Sequence, residues 1–590
     1  MRGDKLKVLF FGAAAILLMP LRATAAARAI QLRMAPAKAI REGGVATVRA
    51  RLEPAKPAVG KTVSGAPGAS NASGVMLWPY VNGLQWGAAE KTGPRGRATF
   101  ILPLPMPGAA TIQVSLRPPT NIGFPVGQPL PPGAAASNAV TVHVTPRTFA
   151  AVKGRRHLVG ADVEPWFTPL NAPWTTAEAV PLCGKYASTN TEVIREQALW
   201  LDEMGVNYIV EDWSNNLWGK TQWKQRPPGV NQLVAATTAV FKTYARMRKE
   251  GLPTPQITLL LGLVNGPPTT TTAVNEEMHF IHQHYLRNPR YKGLWLLDHH
   301  KPLILILNIL GPAFTAGKPP IHRNAFAVRW MAAQLQATPA LAQEGYWSWM
   351  DGSVRPMPTL RHGRVESLTV TPAFFNGGGW LATGARPRAG GRTYIAELRW
   401  ALLHRPKFLN ICQWNEFAGP AKQRGPVKVA RSVMDCYSIP LSNDIEPTAP
   451  HACGYRGCGG WGFYYANITR TFISIYRHKT PDATLLALTS PAPGKVVKSG
   501  SALIVRWSWL GRPPKEFRLQ LDGQTLAGQL GANARKFIIS AGQIHPGPHT
   551  LTVYGVGARS RYRLSITHLA HRQAHLIPAA SRVTFQAKTN

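Results

Sequence analysis

Residues 393–417 read TYIAELRWALLHRPKFLNICQWNEF, and this stretch decides the fold. Its first half places Ile395, Leu398 and Leu402 on one face of a predicted helix, Thr393–His404, the spacing of an element that buries a single stripe. Its second half is a short apolar run, Phe408–Cys412, ending in polar and acidic residues. A helix that leads through a brief connection into a buried strand is one unit of an alternating α/β chain. The same rhythm recurs upstream. Strands are predicted at His157–Val163, Asn207–Val210, Ile257–Leu263, Pro302–Leu307, Gly345–Trp349 and Leu368–Ala373. Helices are predicted at Thr191–Met204, where Thr189 and Glu192 resemble a capping box, and at Ala273–Leu286. Strand–helix alternation over roughly 320 residues predicts a (β/α)8 barrel across 155–480. Seven strands are legible, and the eighth is expected near Asn443–Glu446 or as a degenerate strand.

The flanks have a different texture. Between 30 and 147, Val45–Leu52, Ala98–Leu102, Ala110–Leu116 and Val140–Val144 alternate apolar and polar residues, with Gly- and Pro-rich runs between them. Residues 485–590 repeat the pattern at Ala502–Trp507, Phe517–Leu521, Phe537–Ser540 and Thr550–Tyr554. Both are predicted to be all-β, immunoglobulin-like sandwiches. At the start of the chain, Arg2, Lys5 and Lys7 precede an apolar run from Val8 to Leu21 and the small-residue pattern Ala23-Thr24-Ala25. This predicts a signal peptide over 1–25 and an extracytoplasmic, periplasmic or secreted, mature chain without a membrane span.

The chain carries 67 Lys and Arg against 28 Asp and Glu, a net charge of +39. The basic residues are dispersed rather than striped, and no nucleic-acid module is present, which argues against nucleic acid as the partner. A diffuse excess suits an acidic medium or attraction to anionic polymers and an anionic cell surface. Of five cysteines, Cys453 and Cys458 are expected to form a disulfide in an oxidising compartment. A zinc site from Cys436, His451, Cys453 and Cys458 is the alternative, but its spacing fits no standard finger. The odd count leaves a free thiol, expected at the buried Cys412. No metal and no cofactor is expected; His279, His282 and His284 lack a carboxylate to complete a metal set.

In barrels of this kind the working groups stand at the C-terminal ends of strands. Those ends read Asp162-Val163-Glu164-Pro165-Trp166, Glu211-Asp212-Trp213 and Gln413-Trp414-Asn415-Glu416. Strand alternation lets only one of Glu211 and Asp212 point inward. Fourteen of the 18 tryptophans fall between 157 and 480, enough to make indole–carboxylate pairs the theme of the barrel rim. Sugar rings pack their C–H faces on flat aromatics, and paired carboxyls cleave glycosidic bonds. Trp166, Trp213 and Trp414 are therefore the expected platforms of an open cleft.

Residues 157–447 resemble the glycoside hydrolase family ninety-nine group, the endo-α-mannosidases, and the related WbsX-type proteins. The resemblance is carried in order by Glu164-Pro165-Trp166-Phe167, by Gly184-Lys185-Tyr186 with Glu192 and Gln197, by Asp212-Trp213, by Asn288-Pro289-Arg290-Tyr291, by Trp414-Asn415-Glu416-Phe417 and by Ile445-Glu446-Pro447. It implies a retaining, endo-acting hydrolase of α-linked, mannan-like glycans. In that family the substrate's own 2-hydroxyl is the internal nucleophile, helped by the carboxylate at the position of Glu416. The family's second acid is absent from its usual place, where this chain has Ala418-Gly419. Asp212, Glu164 and Asp444 are the candidate replacements. Asn415, Tyr186 and Glu446 join the tryptophans as expected substrate contacts. The alternative is a catalytically inactive glycan-binding or surface-polysaccharide assembly protein.

Overall fold

Eight parallel strands line up in a computed structural model, which describes residues 30–34, 40–53, 72–147, 156–168, 174, 177–227, 229–335, 338–351, 355–374, 386–417, 439, 441–450, 452, 459–477, 484–491, 496–511, 513–560 and 577–588. The strands are β1 (Leu158–Val163), β2 (Tyr208–Trp213), β3 (Gln256–Val264), β4 (Lys301–Asn308), β5 (Ala327–Ala332), β6 (Trp347–Ser348), β7 (Arg364–Val370) and β8 (Phe408–Asn415). Their order in the sheet is β6-β5-β4-β3-β2-β1-β8-β7, with Thr359–Arg361 added antiparallel outside β7. The strand missing from the sequence reading is β5, not Asn443–Glu446. Its inward face carries Arg329, a charge in the middle of the run AVRWMA, which hides the apolar signature of a barrel strand. The segment Asn443–Glu446 instead hydrogen-bonds to the end of β8: Ile445 N–H donates to Gln413 O at 3.0 Å and Glu446 N–H to Trp414 O at 2.9 Å.

Alternation sorts the strand residues into two layers. Tyr208, Val210, Leu260, Leu303, Leu305, Met331 and Phe408 pack together inside the curved sheet. Ile209, Leu259, Ile304, Ile306, Leu409 and Ile411 join the larger core outside it, against helices α1 (Thr191–Met204), α2 (Val230–Lys249), α3 (Thr271–Ile281), α4 (Arg392–His404) and α5 (Tyr464–Tyr476). The start of α1 is capped by Asn190, whose Oδ1 accepts from the N–H groups of Glu192 and Val193, and not by the expected Thr189 box. Gly160 is required by packing: a Cβ there would lie 2.1 Å from the Tyr208 ring.

Among the described residues no backbone ladder joins β6 to β7, so the barrel has a seam. Side chains close it. Thr369 Oγ1 on β7 donates to Ser348 O on β6 at 2.5 Å. Arg329 on β5 reaches across to Glu366 on β7, with Nε 3.1 Å from both carboxylate oxygens, and Trp347 Nε1 on β6 donates to the same carboxylate at 3.1 Å. Arg329 also bonds Asp298, whose other oxygen accepts from Lys407 Nζ at 2.5 Å. A bidentate guanidinium–carboxylate pair sheltered from water is strong and directional.

Two β units flank the barrel. Ile30–Met34, Gly44–Leu52 and Arg97–Leu104 form one antiparallel sheet, and Ile40–Arg41, Val140–Thr145, Gly108–Ser115, Met76–Val81 and Leu84–Gln85 another. Val48, Phe100, Leu102, Ile112, Val114 and Val144 fill the space between them. At the other end, Thr484–Ser490, Leu503–Gly511 and Lys536–Ile539 face a five-stranded sheet built around Gly547–Ser560, over a core that includes Val505, Trp507, Phe517 and Val553. The first unit is tied to the barrel by Arg195 of α1, whose Nε donates to Glu42 Oε1 at 3.1 Å and to Pro105 O at 3.0 Å. The expected signal peptide lies outside the described residues. Among those described, no helix is long and apolar enough to cross a membrane.

Replacing Arg329 by Leu should open the seam and leave Asp298 and Glu366 buried with one cation fewer. We expect a loss of about 3–5 kcal/mol, the usual consequence of removing one partner of a buried pair. Urea unfolding followed by tryptophan fluorescence measures it; a change within experimental error would mean the pair does not hold the barrel closed.

Candidate active site

The inward positions at the end of β1 are Asp162 and then Glu164, two residues on; β2 contributes Asp212 and β8 leads to Glu416. Asp162, Glu164 and Glu416 are almost fully buried, 1%, 6% and 3% exposed, and Asp212, half-buried, lies beside the Glu164 carboxyl. Glu211, its neighbour on β2, points the other way and accepts from Thr237 Oγ1 of α2 at 3.0 Å. The inward choice of Asp212 follows from the strand pleat.

Four carboxyls this close cannot all be ionised in a dry site. Burial, then the Asp212 carboxyl, then Glu416, hold Glu164 well above the ordinary carboxylate range, against the opposing pull of its hydrogen bond from Gln413. Gln413 Nε2 donates to Glu164 Oε1 at 2.7 Å. The Asp212 carboxyl opposes ionisation of Glu164, so the pair favours a single negative charge. Asp212 is raised by burial but steadied by Ser214, whose N–H donates to Oδ1 at 2.7 Å. Glu164 is therefore the partner that carries the proton. Asp162 is also pushed well up, by burial and then by Asp212; neither of its oxygens has a hydrogen-bond partner among the described residues. Cys412 sits between them, its thiol pushed well up by burial and then by Asp162, Glu416 and Glu164. Cys412 and Cys183 are both free and buried.

Glu416 is oriented from below. Asn443 Nδ2 donates to Glu416 Oε2 at 3.0 Å. The Glu416 and Phe417 N–H groups both donate to the Asp444 carboxylate, at 3.2 and 3.1 Å for Phe417. Phe417 has φ +45°, a conformation that costs an aromatic residue about 1–3 kcal/mol unless its surroundings impose it. Asp444 is the imposing group. It also bonds Ser442 Oγ, and Arg388 Nη2 donates to the Asp444 carbonyl at 2.5 Å. The Arg388 guanidinium lies between Trp461 and Tyr465, 3.8 and 4.2 Å from their ring centres. Asp444 is thus occupied with the backbone of the turn that presents Glu416.

Behind the acids runs a buried polar brace. Asn415 Oδ1 accepts the Glu164 N–H at 2.9 Å. Asn415 Nδ2 donates to Tyr186 OH at 3.0 Å. Tyr186 OH donates to Glu446 Oε2 at 2.8 Å, and Gln197 Nε2 of α1 donates to Glu446 Oε1 at 2.9 Å. Tyr186 and Glu446, expected as substrate contacts, are 2% and 0% exposed and serve here to fix Asn415.

The platform expectation needs correction. Trp213 and Trp414 are fully buried. Trp213 continues the outward face of β2, and Trp414, past a register shift near the end of β8, joins the same outer core; Trp213 stacks on Trp223 at 6.2 Å and donates to Thr237 Oγ1 at 2.8 Å. Trp166 is half-buried, edge-on to Phe167. The exposed indole at the rim is Trp218, 46% accessible, in the turn after β2 and over Gly266 after β3. It escaped the sequence reading because no acid adjoins it. Asp162 escaped because Glu164 matched the resemblance better; strand alternation alone puts both on the inner face. Cys436, Cys453 and Cys458 lie outside the described residues. Among the described ones no group of three His, Cys, Asp or Glu side chains is placed to hold a metal ion.

No family model matches this sequence, and no curated protein matches it. Among solved structures, a GH99 endo-α-mannosidase from Bacteroides thetaiotaomicron aligns over 55% of this chain and 98% of its own, at 14% identity and a TM-score of 0.39. An endo-β-1,4-mannanase from Thermotoga petrophila aligns over 74% of this chain and 99% of its own, at 9% identity and a TM-score of 0.32. Likenesses this distant establish neither a family nor an activity.

Replacing Asn415 by Leu keeps its branched shape but orphans the buried Glu164 N–H and removes one of the three bonds at the Tyr186 hydroxyl. The orphaned N–H costs about 1–3 kcal/mol, so the midpoint of denaturant unfolding should fall accordingly; an unchanged midpoint would remove Asn415 from the brace. A second expectation concerns pH. Burial pushes Glu211, Glu277, Glu446 and, in the first β unit, Glu90 up to about 8. These folded-state values lie above the unfolded value of about 4.3. Their contribution to stability is fully present below that value and is lost as pH rises through about 8. The melting temperature should be higher at pH 5 than at pH 8, by at least about 5 °C. Calorimetry at the two pH values checks the sign.

Proposed function

We propose that this chain is a glycoside hydrolase whose reaction centre is the acid cluster at the barrel mouth. The observation that carries the reading is the convergence of Glu164, Asp212 and Glu416 at the ends of β1, β2 and β8, where burial and mutual repulsion favour a proton on Glu164. One carboxyl kept neutral next to another available as a carboxylate is the pairing that glycosidic cleavage needs. Glu164 is the proposed general acid and donates its proton to the departing glycosidic oxygen. Asp212 is its proton partner. Glu416, aimed by Asn443 and by the Asp444-bound turn, is the proposed carboxylate on the reacting ring. Asp162, buried behind them, adds to the repulsion that keeps Glu164 protonated.

The resemblance of Trp414-Asn415-Glu416-Phe417 and Ile445-Glu446-Pro447 to the endo-α-mannosidase pattern refines the proposal to endo-action on α-linked, mannan-like chains. In that route Glu416 takes the proton of the substrate's 2-hydroxyl, whose oxygen displaces the leaving group at C1. Water then attacks C1 of the cyclic intermediate and gives its proton to Glu164, while Glu416 returns its proton to the 2-oxygen. Glu164 supplies the second acid that the motif lacks. A second reading, binding without cleavage, draws on that same missing acid and on the depth at which Asp162, Glu164 and Glu416 are buried.

The assay is release of reducing ends from α-mannan and α-glucan oligosaccharides by the whole mature chain. Glu164→Gln and Glu416→Gln should each lower kcat by roughly 10²–10⁴-fold, the scale of a lost acid or base, with little change in KM. The wild-type rate should decline at alkaline pH as Glu164 loses its proton, and that limb should vanish in Glu164→Gln. Wild-type binding with no turnover on any glycan selects the second reading. Turnover that survives both substitutions would place the chemistry elsewhere.

A further inference from the structure

A second cavity lies away from the acids, where the first β unit meets the barrel. Its volume is about 100 Å³, several times the ~10–15 Å³ that a single water needs. Its walls come from two parts of the chain. Met76, Trp78 and Ala88 belong to the β unit, as does Pro125 from a long loop of that unit; Val180 and Lys185 belong to the first loop of the barrel. The junction is built rather than accidental. Gly87 N–H donates to Cys183 O at 3.0 Å. Gly184, at φ +92°, brings its backbone so close that a Cβ would lie 2.5 Å from Gly87 O. Gln85 Nε2 holds the same Gly87 carbonyl from the other side at 2.7 Å. Neither glycine tolerates a side chain, so the two walls are held in a fixed relation.

Two side chains in this cavity have chemistry to offer. Trp78 is half-buried and forms part of the cavity wall. Lys185 is partly withdrawn from water, and among the described residues no carboxylate, carbonyl or hydroxyl accepts from its ammonium. A cation with no internal counter-charge is an open invitation to an anion. We infer that this junction is a binding site for an acidic sugar, with the ring lying on Trp78 and its carboxylate or sulfate on the Lys185 ammonium. Burial lowers the Lys185 pKa, and a bound anion would restore it. The site uses none of the four barrel acids, although Lys185 immediately precedes Tyr186 of the brace. It shares with the proposed hydrolase reading only the premise that the ligand is a saccharide. A mature chain of high positive charge and an acidic saccharide are electrostatically matched, but the dispersed surface charge gives no selectivity; the pocket does.

Isothermal titration of the whole mature chain at ~0.5 M salt, where exposed charges a few ångströms apart are screened, tests this with short probes. Digalacturonate tests the carboxylate source, galactose 6-sulfate the sulfate source, and neutral digalactose is the control. Either acidic probe should bind at least about tenfold more tightly than digalactose, and Lys185→Met should erase that preference. Trp78→Ala should weaken acidic binding, and Trp78→Phe should restore most of it. Should Lys185→Met fail to fold, the two Trp78 variants carry the test. Glu416→Gln should bind the acidic probe like wild type, so a chain that never hydrolyses a glycan can still satisfy every arm. Equal affinity for digalactose, acidic binding unchanged in the Lys185 and Trp78 variants, or no binding of any probe would each overturn the inference.

Discussion

The carboxamide of Asn415 accepts the Glu164 N–H with its oxygen and donates to the Tyr186 hydroxyl with its nitrogen. No other side chain of that size has both capacities in that geometry. Through these two bonds the end of β8 is locked to the end of β1 and to the loop that enters α1. Tyr186 passes the constraint to Glu446 and Gln197, so the segment after β8 and the first helix are held by the same chain of bonds. The positions of Glu164 and Glu416 depend on it. In a dry interior each of these bonds is strong, and a missing partner is correspondingly costly.

The charge distribution gives this constraint its chemical meaning. Acids are scarce in the chain as a whole, yet four converge inside one barrel mouth while the basic residues are dispersed. Mutual repulsion and burial then force at least one proton to stay bound. The same force acts on carboxyls elsewhere in the molecule, such as Glu277 and Glu90, where only stability is at stake. Carboxyls that burial keeps neutral stabilise the folded chain more in mildly acidic than in alkaline solution.

Support for the barrel comes largely from side chains rather than from a closed ladder. Arg329, Glu366 and Trp347 bridge the seam between β6 and β7, and Arg388, wedged between Trp461 and Tyr465, holds the turn beneath Glu416. The flanking β units add anchoring of the same kind: Arg195 reaches from α1 to Glu42, and Arg399 of α4 reaches the Trp509 carbonyl of the C-terminal unit. Cations that find aromatic or carboxylate partners inside are structural; Lys185 finds none among the described residues, and the proposed second site rests on it.

Periodicity alone determined that the chain alternates strands and helices between 157 and 417, that β-rich segments flank it, and that only one of Glu211 and Asp212 faces inward, because pleat and helical pitch are local properties of the backbone; the family resemblance favoured Asp212. The acids at the ends of β1, β2 and β8 were legible for the same reason: each lies one or two residues past an apolar run. Other features were decided only by tertiary structure. β5 was hidden because Arg329 looks polar until Glu366 and Asp298 arrive from distant parts of the chain. Trp213 and Trp414 looked like platforms because adjacency to a carboxylate says nothing about the opposite face of a strand, where both are buried. Asp444 looked like a spare acid until its carboxylate was seen to hold the turn at Glu416. Which acid keeps the proton is likewise not written in any one segment: it depends on Glu164, Asp212 and Glu416 meeting in a space from which water is excluded.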